Sequence, residues 1–135
     1  MKAYTTPFIR NVGIVGHGDT GKTQLVSSLL FTAGMTNRLG KVAEGNTVTD
    51  WDEEEIARKI TIHTGLAYAD WAPTGQAEKT KINFLDTPGY TTFINDTRAS
   101  LIAADASSVG GSIATKARIW NRWVTTMSLN APTAS

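Results

Sequence analysis

A chain of 135 residues, 41% hydrophobic and 8% aromatic, has room for one packed domain and the apolar material to build its core. Thirteen Lys and Arg against twelve Asp and Glu leave a net charge of +1, so no global field argues for a nucleic acid, a membrane surface or an acidic tail. The absence of cysteine removes disulfide frameworks, thiolate metal sites and cysteine nucleophiles, and fits a reducing cytoplasm.

From the N-terminus, MKAYTTPFIRN lacks an apolar signal core, and no run approaches the ~18 apolar residues of a spanning helix. A soluble, cytoplasmic protein without a membrane partner or direct DNA binding is expected. Phe8 to Val15 (FIRNVGIV) is rich in β-branched residues and ends at Gly16, as a buried strand delivering a loop does. Gln24 to Ala33 places Leu25, Val26, Leu29, Leu30 and Ala33 at helical spacing, with Gly34 as a left-handed stop. Met35 to Lys59 has no sustained period and contains the acidic cluster Asp52 to Glu55. So long an irregular stretch in a small domain is usually functional or mobile, and the cluster itself reads as a solvated face or a helix start.

Ile60 to Trp71 and Lys81 to Leu85 read as two strands around the polar turn Pro73 to Glu78, able to pair as a hairpin. Thr91 to Ala104 carries Phe93, Ile94, Thr97, Leu101 and Ala104 at three- and four-residue intervals, a modest helical face. Ala106 to Ser112 is small and flexible, and Ile113 to Met127 is weakly helical before the tail frays. No repeat is visible. Neither His17 nor His63 has a ligand-like partner at short spacing, and the four tryptophans read as packing residues.

One stretch carries chemistry by itself. Gly16-His17-Gly18-Asp19-Thr20-Gly21-Lys22-Thr23 fits the phosphate-cradling pattern G-x-x-x-x-G-K-[ST], and it lies between a predicted strand and a predicted amphipathic helix. In such a loop backbone N–H groups turn onto phosphates, the position of Lys22 reaches the β and γ phosphates, and the hydroxyl of Thr23 meets magnesium. The following helix adds its positive N-terminal end. Asp86-Thr87-Pro88-Gly89 then follows the strand KINFL. Alone it is a good turn sequence; beyond a P-loop, Asp86 at a strand end suits magnesium held through water, and the Gly89 N–H suits a γ-phosphate.

IRNVGIVGHGDTGKT, GKVAEGNTVTDWDEEEIARKITI and KINFLDTPGY, in that order, resemble the start of the GTP-binding domain of bacterial elongation factor G and its paralogues, from about Phe8 to about Asp105. The resemblance implies an α/β fold: a partial P-loop NTPase with a three-layer, mostly parallel sheet flanked by helices, incomplete at its C-terminal side. Residues 1–105 would be the N-terminal portion of that domain and 106–135 a divergent, weakly helical tail. It implies GTP/GDP and Mg2+ as cofactors, with GTP binding and hydrolysis coupled in full-length relatives to ribosomal translocation. The ribosome is expected as a partner only for such a relative.

Residue by residue, Gly16 to Thr23 would be the P-loop, with Asp19 matching an aspartate linked to a monovalent cation. Met35 to Thr61 would be the first switch, in which Thr61 closes on magnesium; without its neighbours Thr61 would read as a strand residue. Asp86 to Gly89 would open the second switch. Tyr90 stands where the family usually has the histidine that positions the attacking water. A phenol with a reference pKa of about 10 can orient water but is a poor proton acceptor near neutrality. Gly18 replaces an apolar residue of the family pattern, removing a wall that shields this water. Lys59 replaces a glycine, removing a residue tolerant of positive φ.

The family's base-reading N-K-x-D does not occur in the chain, and Thr115-Lys116-Ala117-Arg118 is no substitute, since Arg118 stands where an acceptor is needed. Missing strands would leave an open sheet edge, so self-association is expected to be possible. The sequence therefore reads as a truncated or rearranged translation GTPase, with Lys22 and Tyr90 as catalytic candidates. The alternative is a non-catalytic phosphate-binding fragment without guanine selectivity.

Overall fold

The computed structural model describes residues 3–72, 75 and 77–109. Four strands make one sheet: β1 (Ile9–Val15), β2 (Gly65–Trp71), β3 (Thr80–Asp86) and β4 (Ala106–Val109), in spatial order β2-β3-β1-β4. β1 runs parallel to both β3 and β4, while β2 and β3 form an antiparallel pair. The sheet is thus mostly parallel with one antiparallel edge, the architecture the sequence implies.

Two helices cover it. α1 (Lys22–Thr32) supplies Val26 and Leu30 to a core with Val12, Ile14, Ala67, Ala69, Ile82 and Phe84. Successive strand side chains point to opposite faces, so Gly13 faces the other way. A Cβ there would meet Leu101 and Ala104, which places the second covering helix, Ile94–Ala103, on the opposite face from α1. Two covered faces make the third layer. The second cover is thin: Leu66 and Tyr68 are 67% and 42% exposed, and Leu101 is 40% exposed. Between β1 and β2 lies a short helix, so α2 is Glu53–Arg58 and α3 is Ile94–Ala103.

The differences from the sequence reading have local causes. Ile60 to Thr64 is not strand; β2 begins at Gly65, because the backbone N–H groups of Ile62 and His63 go to a side chain, Glu55, instead of a neighbouring strand. Ala106 to Val109, read as a flexible loop, is β4. Its small residues carry little strand propensity, and the pairing is imposed from outside: Asp105 N–H donates to Asn11 O, and the Asp105 carboxyl accepts from Asn11 N–H, aligning the chain with the free edge of β1. The expected helix at Thr91 to Ala104 begins as a 3-10 turn, Thr91–Phe93, before α3. Pro73, Thr74 and Gln76 of the turn, and the weakly helical segment Ile113 to Met127, lie outside the described residues. Among the described residues no helix is long and apolar enough to cross a membrane.

Candidate functional site

The C-terminal ends of β1 and β3 set the site. After Val15 the chain turns through Gly16, Asp19 and Gly21, at φ 143°, 59° and 74°, before α1 starts at Lys22. Positive φ values within a short loop curl successive N–H groups toward one side, the geometry of an anion nest. The loop is tied internally: Thr20 Oγ1 and Lys22 Nζ both donate to the His17 carbonyl, at 2.8 and 2.9 Å. Gly21, in the left-handed conformation, is the N-cap of α1, so the helix N-terminus follows directly on the loop.

Asp86, paired with Ile14 in the parallel register, ends β3 beside this loop and is 0% exposed. The next residues are fastened down. Thr87, also fully buried, gives both its N–H and its hydroxyl to Ile14 O, and Thr97 of α3 donates to Pro88 O. Gly89 then lies directly against the P-loop: a Cβ there would collide with Lys22 Nζ, Gly18 N and His17 C. Only glycine permits that approach.

The segment expected to be the first switch closes the third side. Asp52 caps α2 in a capping box with Glu55, and Lys59 ends the helix in the left-handed conformation, φ 56° and ψ 36°. Glu55 is 1% exposed and accepts N–H bonds from Asp52, Ile62 and His63. The acidic cluster is thus a helix start, one of the two readings its sequence allowed: Asp52 caps α2 and Glu53 to Glu55 form its first turn, while Glu55 departs from a solvated face by being buried as a backbone clamp. The result is that Thr61 Oγ1 stands 2.9 Å from Thr23 Oγ1 and 3.0 Å from Asp50 Oδ1. Thr49 Oγ1 donates to Asp86 Oδ2 at 2.9 Å.

Burial dominates the electrostatics. It pushes the Asp86 carboxyl up to about 6, with Asp50 adding to the rise, while the hydroxyls of Thr23 and Thr49 and the Lys22 ammonium oppose it. Burial also raises the Asp50 carboxyl, with Glu55 adding to the rise, against the hydrogen bond from Thr61. It lowers the Lys22 ammonium, against the pull of Asp86 and Asp19.

These groups fit magnesium. Asp86 Oδ1 is buried without a hydrogen-bond partner, and its neighbours are hydroxyl and carboxyl oxygens, the hard donors that magnesium prefers. No cluster of three or more His, Cys, Asp or Glu side chains capable of holding a metal occurs among the described residues. Magnesium at phosphate sites uses one or two carboxylates and completes its shell with phosphate and water, so none is needed.

The cavity beside the P-loop is lined by Gly18, Asp19, Lys22, Thr23, Thr61 and Tyr90, among others, uniting the loop with both expected switches. Gly16, His17, Thr20 and Asp86 are not among its lining residues: Gly16 turns the chain at positive φ, the His17 carbonyl accepts from Thr20 and Lys22, and Asp86 is held by Thr49. The Tyr90 hydroxyl donates to Asp19 Oδ2 at 3.1 Å, and this bond, ahead of partial burial, raises the phenol pKa. His63 lies 3.6 Å from the Asp96 carboxyl, away from the P-loop. Trp51, read as a packing residue, is 71% exposed, whereas Trp71 packs against the core.

Sequence reasoning missed Thr49, Asp50, Glu55 and Thr87. The run Thr47-Val48-Thr49-Asp50 offered a signal, since its small polar residues alternate with an apolar one, but in an unperiodic stretch that pattern fits an exposed loop equally well.

The model of the elongation factor Tu GTP-binding domain matches residues 8–109. Among curated relatives, mitochondrial ribosome-releasing factor 2 of Culex quinquefasciatus is 41% identical over 85% of the chain. Elongation factor G of Amoebophilus asiaticus (strain 5a2) is 39% identical over 74% of it. In each case the chain spans 15% of the relative's length. A crystal structure of a Thermus thermophilus protein superposes with a TM-score of 0.68 at 34% identity, covering 85% of this chain and 17% of that one. A P-loop, a Thr61 drawn onto Thr23 and an aspartate at the end of β3, within a match from residue 8 to 109, make this chain a member of the elongation factor Tu GTP-binding domain family, with relatives of the elongation factor G kind.

Proposed function

We propose that the chain binds GTP and GDP with magnesium, as the nucleotide module of an elongation factor G-type translation factor. The observation that carries this reading is the convergence of Thr23, Thr61 and Asp86, from three separate segments, beside Lys22. Lys22 and the P-loop amides hold the phosphates; Thr23 and Thr61 hold magnesium directly, and Asp86 holds it through water. The chemistry magnesium would supply there is to offset the charge of the phosphates. Asp19, its carboxyl on the loop rim, adds a site for a monovalent cation. The Gly89 N–H serves a terminal phosphate, close to the loop as its backbone is.

Turnover is slow in this reading. Tyr90 donates its hydroxyl hydrogen bond to Asp19, and the raised pKa keeps the phenol neutral, so it can position water but not accept its proton. Action on the ribosome belongs to a full-length relative, whose other domains contribute most of that contact.

The test is a titration in magnesium with GDP and, separately, ADP, followed by heat or by the fluorescence of exposed Trp51. No N-K-x-D stands in the sequence to read guanine, so base preference is the sharpest discriminator. GDP binding clearly tighter than ADP supports the proposal; weak or equal binding of the two replaces it with a phosphate cradle lacking base recognition.

A further inference from the structure

Two departures from the family pattern, Gly18 and Tyr90, prove to touch. A Cβ built on Gly18 would lie 2.6, 2.8 and 2.9 Å from Cζ, Cε2 and Cε1 of Tyr90, all well inside van der Waals contact. The phenol ring therefore rests flush on the P-loop backbone, in the volume that any side chain at position 18 would claim. At its far end the hydroxyl is held by Asp19. The ring of His17 is a neighbour, its centroid 6.2 Å from that of Tyr90 with the planes tilted by 56°. Asp19 itself adopts positive φ, which aims its carboxyl from a conformation the short polar side chain tolerates. The backbone before Tyr90 is equally committed, since Gly89 is pressed on His17 and Gly18.

We propose that Gly18, Asp19 and Tyr90 form a latch that fastens the second switch over the phosphate end of the P-loop, so that nucleotide exchange is limited by lifting the Tyr90 ring. The missing side chain at position 18 makes the seat, and Asp19 makes the catch. Tyr90 is then a positioning residue that controls access, and the apolar wall lost at Gly18 is restored by the ring itself. The raised phenol pKa agrees, because a neutral hydroxyl is the form that can donate to Asp19. This rests on the nucleotide-binding reading above.

The experiment has two arms. In the nucleotide-free chain, nuclear Overhauser contacts between the Tyr90 ring and the Gly18 α-protons are expected, and the ring's contacts with position 18 should vanish in Gly18→Ala. Because the clashing atoms belong to the free end of a side chain, that variant should lose the ring's seat and keep the fold. Their absence from the unmodified chain overturns the latch whether or not nucleotide binds. In the second arm the release of a fluorescent GDP analogue is timed. Tyr90→Phe and Gly18→Ala should each release it roughly fivefold to tenfold faster, the effect of losing about one hydrogen bond or contact of this kind. In a Tyr90→Ala background, Gly18→Ala should add nothing, since the ring it displaces is gone. Release rates unchanged in both single variants, with only hydrolysis altered in Tyr90→Phe, would return Tyr90 to the role of water-orienting residue and overturn the latch. A chain that shows the ring contacts but binds no guanine nucleotide would instead overturn the nucleotide-binding reading, and with it the gating role.

Discussion

Thr23 and Thr61, 38 residues apart in the chain, bring their hydroxyl oxygens to 2.9 Å in a buried pair. One opens the helix behind the P-loop, and the other ends an irregular segment with no period of its own. The contact joins the two segments where the proposed magnesium would sit. Thr61→Ala removes the hydroxyl from Thr23 and leaves Asp50 Oδ1 without its donor at 3.0 Å. Nucleotide affinity measured in magnesium should fall on the order of tenfold, with little change when magnesium is replaced by EDTA. Thr61→Ser, which keeps the hydroxyl, should restore most of it. An equal loss with and without magnesium would place the role of Thr61 in the fold alone.

Asp86 makes the stability of the metal-free chain depend on pH. A carboxyl raised from 3.8 to about 6 binds its proton more tightly in the folded state than in the unfolded one. Stability is therefore greatest below the unfolded value, declines as the pH rises through that interval, and levels off above about 6. Asp50 is shifted in the same direction and adds to the trend. A rise of about two units corresponds to roughly 3 kcal/mol at most. Asp86→Asn, which still offers an oxygen to Thr49, should flatten this profile and stabilise the chain in EDTA at a pH of about 7.5, while removing the magnesium dependence of nucleotide binding. Urea denaturation at pH values of about 4.5, 5.5 and 7.5 reads it. A variant less stable than the parent at the highest pH would show that the ionised carboxyl is held by contacts stronger than its burial.

Lys59 is a side chain in a glycine's conformation, at φ 56° after the last turn of α2. The left-handed region costs a residue with a Cβ about 1–2 kcal/mol, and the greater freedom of glycine when unfolded cancels part of the gain from replacing it. Lys59→Gly should therefore raise stability by about 0.5–1 kcal/mol, a few degrees in Tm. Thermal melting of the nucleotide-free chain measures this. A lower Tm would mean that the lysine stem contributes more by covering the cavity than its backbone loses.

How much of this was legible depended on whether a residue's role is local. The P-loop is contiguous: one short run contains the glycines, Lys22 and Thr23, so their job shows in the string itself. β1 and α1 announced themselves by apolar spacing, since Val12, Ile14, Val26 and Leu30 are core residues as well as pattern residues. β4 did not, because its strand character comes from Asn11 and Asp105 exchanging bonds across 94 positions. The same holds for Gly18 and Tyr90. Each stood out as a departure, but that one makes room for the other is a fact of three dimensions. Asp50 and Glu55 were hidden by composition, because an acidic residue in an irregular, charged stretch is exposed in most proteins.

Glu55 is the exception whose consequences reach furthest. Three backbone N–H groups, from Asp52, Ile62 and His63, end on its two oxygens at 3.3, 2.9 and 2.9 Å, and the side chain is almost entirely buried. A carboxylate suits this arrangement because both of its oxygens accept. Glu55→Gln keeps the size but turns one oxygen into an amide donor, so at least one of these part-buried N–H groups must face another donor. The cost should be about 2–3 kcal/mol, read as a lower urea midpoint. The local effect separates this from a general loss of packing. Residues 60 to 64 are not strand and depend on Glu55 for two of their N–H bonds, so this segment should open first. Trypsin should then cut after Arg58 and Lys59 faster in the variant under native conditions, and binding in magnesium should weaken as Thr61 leaves Thr23. If the urea midpoint and the cleavage rate both stay at the parental values, some contact other than Glu55 sets the approach of Thr61 to the P-loop.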